Sequence, residues 1–387
     1  MLLTLDSRLS THPILCFSTV DWDHLWYHPQ ALMSRFAQDA HRVLYVDTVG
    51  LRSPKVRDFR RIASRVRNRL GAKRGGLKLT PEGVSVYSPL LLPFLNARLA
   101  RRVNVEILVS SLNKMMARAG MSHSVLWVYL PTWTVLQCVK RIPHRMLVYN
   151  AIDALSQNPA GVSWGYEQAE MEILQRADLV LTTSEALYQE KAPHNPHTYW
   201  APPGVDDWWF EAADPAPEVA ALPAPRIGFF GAIDHRLDLE MMAALARAHR
   251  AWTFVLIGAA RCDISALLAE QNVHFLGSKR HSDLVRYLVG LDVFMLPYVA
   301  DAFTRHIQPA KLYECFALGK PTVATRLPAL QPYEDVVGLA EGFHEFDTAL
   351  QDAVAENRPD LQAQRQAIAR DNAWEKRYRE ILGHLGL

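Results

Sequence analysis

Short apolar runs alternate with stretches of helical period along this chain. In the first half the runs are "PILCFS" (13–18), "RVLYVDT" (42–48), "HSVLWVYL" (123–130), "RMLVYN" (145–150) and "DLVLTTS" (178–184). In the second half they are "RIGFFGAI" (226–233), "WTFVLIG" (252–258), "NVHFLG" (272–277), "VFMLPY" (293–298) and "PTVAT" (321–325). Continuous apolar runs separated by helices predict parallel strands buried on both faces, built from βαβ units. Between the halves, "PPGVDDWWFEAADPAPEVAALPAPR" carries Pro202, Pro203, Pro215, Pro217, Pro223 and Pro225. Such a segment is a poor helix and a poor strand, and it predicts a connection between domains. The expected class is α/β: two Rossmann-like domains whose parallel sheets face an interdomain cleft. The boundaries are 1–203 for a first domain, 204–225 for the connection and 226–371 for a second domain, with a final helix at 372–387 returning to the first. Ligands of open α/β sheets sit beyond the carboxyl ends of the strands, so chemistry is sought there.

The length of 387 residues suits two domains, and 49% hydrophobic residues let each bury a core. Charged residues make up 21% and the net charge is +2, which excludes a disordered chain and any general attraction to nucleic acid. Cys16, Cys138, Cys262 and Cys315 are isolated and form no C-x-x-C pair, so neither a zinc knuckle nor a disulfide framework is expected. The first residues are interrupted by Asp6, Arg8, His12 and Pro13 and lack a signal-peptide core. The longest apolar stretch, "LVRYLVGLDVFMLPYV", contains Arg286 and Asp292, so no spanning helix is expected and the reading is cytoplasmic.

Candidate chemistry gathers in "HIQPAKLYECFALGKPTVAT" (306–325). Pro309 suits a helix start, and Gly319 with Pro321 a helix stop, which predicts a helix from Ala310 to Leu318. Lys311 and Glu314 then share one face near its N-terminus. A helix N-terminus attracts phosphate, and a Lys there adds a charge for a diphosphate. A Glu one turn on accepts the two hydroxyl hydrogens of a ribose. The alternative is a plain i,i+3 surface salt bridge worth about 0.2–0.5 kcal/mol. Gly319-Lys320 lacks the upstream glycine and the Ser/Thr of a phosphate loop and is set aside.

"PAKLYECFALGKPTVAT", preceded by "LDVFMLPY", resembles the donor-site signature of GT-B glycosyltransferases, in particular the family-4-like enzymes of the teichuronic-acid and exopolysaccharide type. "FSTVDWDHLWYHPQALMSRFA", "VYNAIDAL", "ADLVLTTSEAL", "GFFGAIDHRLDLE" and "NAWEKRYREIL" match in order, so the resemblance spans nearly the whole chain. It implies a nucleotide-sugar donor held by the second domain, with Lys311 on the diphosphate, Glu314 on the ribose and Arg305 as a second phosphate ligand. Gly231 would let the first strand's backbone approach the donor, or is an ordinary turn glycine. Arg236 would reach the phosphates, or is a solvated loop cation. Many of these enzymes carry a further glutamate upstream of the ribose-binding one, and here His306 stands in its place.

Asp153 follows "RMLVYN", at the carboxyl end of its strand. It resembles in position the base of an inverting enzyme of that architecture, and would deprotonate an acceptor hydroxyl. The alternative is the N-cap of the next helix. "DWD" (21–23) has the Asp-x-Asp form that binds metal in another class of transferase, but it lies in the expected acceptor half, and no metal or other cofactor is expected.

Residues 55–78 carry ten Lys/Arg against one acid, Asp58. On a helix, Val56, Phe59, Ile62, Ala63, Val66 and Leu70 share a face flanked by Arg61, Arg65 and Arg69. Phe59, Arg61, Arg65 and Arg69 are expected to meet an anionic membrane surface, with a solvated helix or a nucleic-acid patch as alternatives. The expected protein is a metal-independent transferase, peripheral at the inner face of the cell membrane. It would move a sugar from a nucleotide-sugar to a lipid-linked or glycan acceptor in cell-surface polysaccharide biosynthesis, with no nucleic-acid partner. A nucleotide-sugar epimerase or hydrolase, or a silent membrane-associated scaffold, remain the rival readings.

Overall fold

The computed structural model describes residues 12–23, 26–49, 77–92, 97–157 and 161–386. The chain divides into two compact units, the first Met1–Ala201 with Tyr378–Leu387, the second Pro202–Arg377.

In the first unit the elements run β1 (Ile14–Phe17), α1 (His28–Gln38), β2 (Val43–Val46), β3 (Leu77–Leu79), β4 (Ser85–Tyr87), α2 (Arg98–Arg118), β5 (Ser124–Val128), α3 (Trp133–Arg141), β6 (His144–Ala151), α4 (Tyr166–Arg176), β7 (Leu179–Thr182), α5 (Glu185–Lys191) and β8 (Thr198–Trp200). The described strands form one sheet in the order β3-β4-β2-β1-β5-β6-β7-β8. All neighbours are parallel except β3 on β4. Every residue of β1, β2, β5 and β7 is buried, as strands covered by helices on both faces must be. Lys78, assigned to the end of a basic helix from the sequence, instead lies in β3, paired with Val86.

In the second unit follow α6 (Pro217–Ala220), β9 (Arg226–Phe230), α7 (Leu239–Ala248), β10 (Thr253–Ile257), α8 (Ser265–Leu268), β11 (Val273–Gly277), α9 (Leu284–Leu288), β12 (Val293–Leu296), α10 (Ala310–Ala317), β13 (Thr322–Thr325), β14 (Gly338–Ala340), α11 (Gly342–Ala355), α12 (Pro359–Asp371) and α13 (Trp374–Leu385). The sheet is wholly parallel, in the order β11-β10-β9-β12-β13-β14.

Residues 204–225 are more ordered than their prolines suggest. Pro217 stands at the first position of α6, where its missing N–H costs nothing. Trp209 and Val219 are buried in the core of the second unit with Ile227, Phe230 and Leu291. Helix α13 begins in the second unit, where Trp374 N–H donates to Val205 O (2.9 Å). From Tyr378 on it belongs to the first, where Tyr378 meets the ring of Phe36 edge-on and His384 stacks on Tyr199 at 4.0 Å.

Candidate functional site

The motif helix α10 runs Ala310–Ala317, one residue shorter than its pattern predicts, with Leu318 as its C-cap. Leu312, Tyr313, Cys315, Phe316 and Ala317 are buried and fix its rotation. Tyr313 is held by hydroxyl contact with Tyr333 (2.8 Å) and by the amide of Gln308 (3.2 Å). Gly319, at φ +67°, closes the helix in the left-handed conformation that glycine adopts without strain. This rotation turns Lys311 and Glu314 to the partly exposed side.

Lys311 lies against the backbone of Gly231, at the carboxyl end of β9. A Cβ on Gly231 would stand 2.2 Å from Lys311 Cε and 2.8 Å from its Nζ. The glycine, at φ +115°, therefore forms the slot that the lysine stem occupies. Behind it, Gly258 (φ +150°) at the end of β10 admits Gly231 O, which would be 1.8 Å from a Cβ there. The two loops stay joined beyond the strands: Gly231 N–H donates to Ile257 O (2.8 Å) and Ile233 N–H to Ala259 O (3.0 Å). The lysine ammonium lies 6.0 Å from the ring centre of Phe229. Among the described residues it makes no hydrogen bond or salt bridge, with Glu314 or with any other, so the simple surface pair does not form.

Glu314 is pushed towards its protonated form. Burial raises its carboxyl, His281 and Lys311 pull it down, and Asp206 pushes it up, leaving it above the ordinary glutamate value. His281 Nε2 stands 3.5 Å from Asp206, and Trp208 packs edge-on against the imidazole at 5.0 Å. His281, Asp206 and Gly258 were not among the candidates from sequence. Gly258 follows its strand as Gly231 follows β9, a signal the sequence did contain; the other two meet Glu314 only through the fold.

Arg236 and Arg305 differ. Arg236 is gripped by the Asp234 carboxylate in a two-pronged pair (Nε–Oδ1 2.8 Å, Nη2–Oδ2 2.7 Å). Burial would raise the Asp234 carboxyl, but this guanidinium holds it below its ordinary value. Arg236 is thus neither a solvated cation nor an uncommitted one. Its carbonyl accepts from Val299 N–H (2.8 Å), which ties its loop to the segment after β12. Arg305 follows on a 3-10 turn, Thr304–His306, built on Asp301, whose Oδ1 accepts from the N–H groups of Phe303 (2.9 Å) and Thr304 (2.8 Å). Its guanidinium is exposed and has no ion-pair partner among the described residues. His306 turns its Nδ1 to Ala302 O (2.8 Å) on the same turn.

In the first unit, Asp153 follows β6 in a tight loop, with Leu155 N–H donating to its carbonyl (3.0 Å). It caps no described α-helix, since the N-cap of α4 is Gly165. Burial, then the charges of Glu170 and Asp153, raise the Tyr166 phenol, which places Asp153 near that ring. His28, at the start of α1, faces the Tyr129 hydroxyl at 3.3 Å. Burial, aided by Arg35, lowers its imidazole to about 3, so it stays neutral. In "DWD", Asp21 accepts from Thr48 N–H (3.1 Å) and Asp23 pairs with Lys78 (2.5 Å). The two carboxylates are thus engaged with separate partners. Phe59, Arg61, Arg65 and Arg69 lie outside the described residues.

Comparison with known proteins places this geometry. The chain is similar to solved structures over nearly its whole length. Sucrose-phosphate synthase of Thermosynechococcus elongatus superposes with a TM-score of 0.68 at 16% identity, covering 97% of this chain and 98% of that one. HepE of Anabaena, solved with UDP and glucose, gives 0.66 at 16% identity, covering 96% and 99%. The fold is GT-B. Within that GT-B frame, residues 224–354 match the family model described as glycosyl transferases group 1. That stretch contains Gly231, Arg236, Arg305, Lys311 and Glu314. TuaH of Bacillus subtilis (strain 168), named for glycosyl transfer in teichuronic acid biosynthesis, is 30% identical over 241 residues. The alignment spans 57% of this chain and 60% of TuaH.

Proposed function

We propose that the protein transfers a sugar from a nucleotide-sugar to a membrane-linked glycan or lipid acceptor in the assembly of cell-surface polysaccharide, and does so without a resident metal. The observation that carries this reading is the unneutralised Lys311 ammonium seated in the slot of Gly231. A fixed cation at the carboxyl end of a parallel sheet is placed to offset charge that develops on a departing diphosphate, at no cost of reorganisation. Arg305 supplies a second cation, and Glu314 the acceptor for ribose hydroxyls. Asp153 takes the proton from the attacking hydroxyl of the acceptor as the new glycosidic bond forms and the diphosphate leaves with the old bond's electrons. The UDP in the HepE structure makes UDP the first nucleotide to try. The name of TuaH supports the polysaccharide setting. The segment with Phe59, Arg61, Arg65 and Arg69 would hold the protein at the cytoplasmic membrane face. Among the described residues no helix is long and apolar enough to cross a membrane.

The test is calorimetric titration with UDP, GDP, ADP and dTDP, each with and without EDTA. One nucleotide should bind selectively and insensitively to EDTA. Lys311→Ala should weaken that binding by about 10- to 150-fold, the loss of a hydrogen bond between charged groups. Equal affinity in the variant would remove Lys311 from the site, and binding to none of the four would overturn the transferase reading.

A further inference from the structure

Helix α2 has a buried face, formed by Val105, Leu108, Val109, Leu112 and Met116, that closes the core. Its first turns show the opposite behaviour. Leu99 is 75% exposed and Val103, one turn on, 36% exposed. Two further exposed apolar side chains are held by residues of these turns, Asn104 and Arg101. The Asn104 amide clamps the backbone of Leu92, accepting from its N–H (2.7 Å) and donating to its carbonyl (3.0 Å), and Leu92 is 41% exposed. Arg101, itself buried, lays its guanidinium 3.9 Å from the ring centre of Trp164, which is 53% exposed. Trp133, at the start of α3, meets Trp164 edge-on at 6.2 Å.

Two cations stand on the same turns of the helix. Arg98 and Arg102 are exposed and have no ion-pair partner among the described residues. The nearest acid along the helix, Glu106, is already neutralised by a two-pronged pair with Arg141 (2.6 and 2.8 Å). The surface therefore combines projecting leucines, a rigidly backed tryptophan and uncompensated arginines. Water satisfies the last but not the first two. A patch of this composition matches the chemistry of an anionic bilayer surface, where aromatic and aliphatic groups enter the headgroup region and arginines meet lipid phosphates.

The chain itself adds a further observation. Val49 O accepts from the Thr132 hydroxyl (3.3 Å), and Thr132 is the N-cap of α3, next to Trp133. From this corner the sequence runs on into residues 55–78 with their ten Lys/Arg. The basic stretch thus follows, in sequence, a residue bonded to the N-cap next to Trp133.

We propose that Leu92, Leu99, Val103 and Trp164, with Arg98 and Arg102, form the face on which the first unit docks to an anionic lipid bilayer. This rests on the reading of a membrane-linked acceptor given above. The basic segment supplies charge, and this face fixes which side of the unit meets the lipid.

The full chain is to be sedimented with vesicles of phosphatidylcholine alone and of phosphatidylcholine mixed with phosphatidylglycerol. A parallel measurement follows tryptophan quenching by phosphatidylcholine brominated on its acyl chains. Binding should require the anionic lipid, Leu99→Ser should lower partitioning about tenfold, and Trp164→Phe should lose much of the quenching. Arg98→Gln with Arg102→Gln should lower partitioning and flatten its dependence on salt. Thermal unfolding of the full chain checks that each variant is folded. If these variants bind as wild type while Arg61→Gln, Arg65→Gln and Arg69→Gln together abolish binding, the docking face is wrong and the membrane reading stands. If wild type binds neither vesicle, both fall.

Discussion

At the carboxyl end of the second sheet, Lys311 and Arg305 carry charge that no described residue pairs with, and the backbone between β9 and β10 is cut back to glycine. At the carboxyl end of the first sheet, polar groups are turned on one another. Ser18 bonds the Tyr45 hydroxyl (2.5 Å), Asp47 accepts the Trp22 N–H (2.8 Å), and His28 is held neutral against Tyr129. Rings of Trp22, Trp26 and Tyr45 fill the space, 6.1 and 4.9 Å apart by centroid. Two sheets of the same class thus end in different chemistry. The second leaves donors waiting for an anion, while the first turns its polar groups on one another and buries Trp22 and Tyr45. The polarity of a site is set by the loops, and the sheets supply only the place.

The sharpest way to break this comparison is to act on one end and read the other. Asp153→Asn should leave UDP affinity unchanged and slow transfer by about 10²- to 10⁴-fold, the usual contribution of a general base. Full transfer in that variant would leave the first sheet without a chemical role. Gly231→Ala acts in the reverse sense. The added methyl collides with Lys311 and must adopt φ +115°, a strain of about 1–3 kcal/mol. Its midpoint in urea should fall and its UDP affinity should drop, with acceptor affinity preserved. Wild-type UDP affinity there would show that the lysine does not need the slot.

Smaller effects sharpen the electrostatic side. His28 takes a proton near pH 6.5 when unfolded but only near 3 when folded, so the unfolded chain binds more protons between those values. Stability should therefore fall as pH drops through that window, and His28→Gln should lessen the fall, by a few degrees in Tm at pH 4.5. Identical slopes for the two proteins would show that His28 titrates freely. Glu314 runs the other way. The folded state holds its proton more tightly than the unfolded chain does, so ionising it costs stability that is lost as pH rises through the raised value. Glu314→Gln should raise Tm by about a degree at pH 8 and by nothing near pH 4, while weakening nucleotide binding. A lower Tm at pH 8 would mean that the carboxylate is well solvated.

Ten strands could be read from apolar runs because burial on both faces leaves an unbroken signal. β3, β4, β8 and β14 could not. Each has three residues, three of them lie at sheet edges, and Leu79 in β3 is 72% exposed, so no apolar run marks them. Lys311 and Glu314 were legible because helix spacing and a start signal sit on consecutive residues. That Lys311 meets Gly231, that Asp234 holds Arg236, and that Asp206 and His281 bear on Glu314 were not. Each joins side chains on separate loops, and only the register of β9 beside β10 and β12 brings those loops together.

The interlock of Gly258, Gly231 and Lys311 also bears on how related chains drift apart. Loss of the lysine empties the slot at Gly231, yet φ +115° there and the carbonyl lodged at Gly258 still exclude any side chain. Both glycines should therefore outlive the chemistry they serve. In a diverging lineage they mark ancestry, and the lysine marks activity.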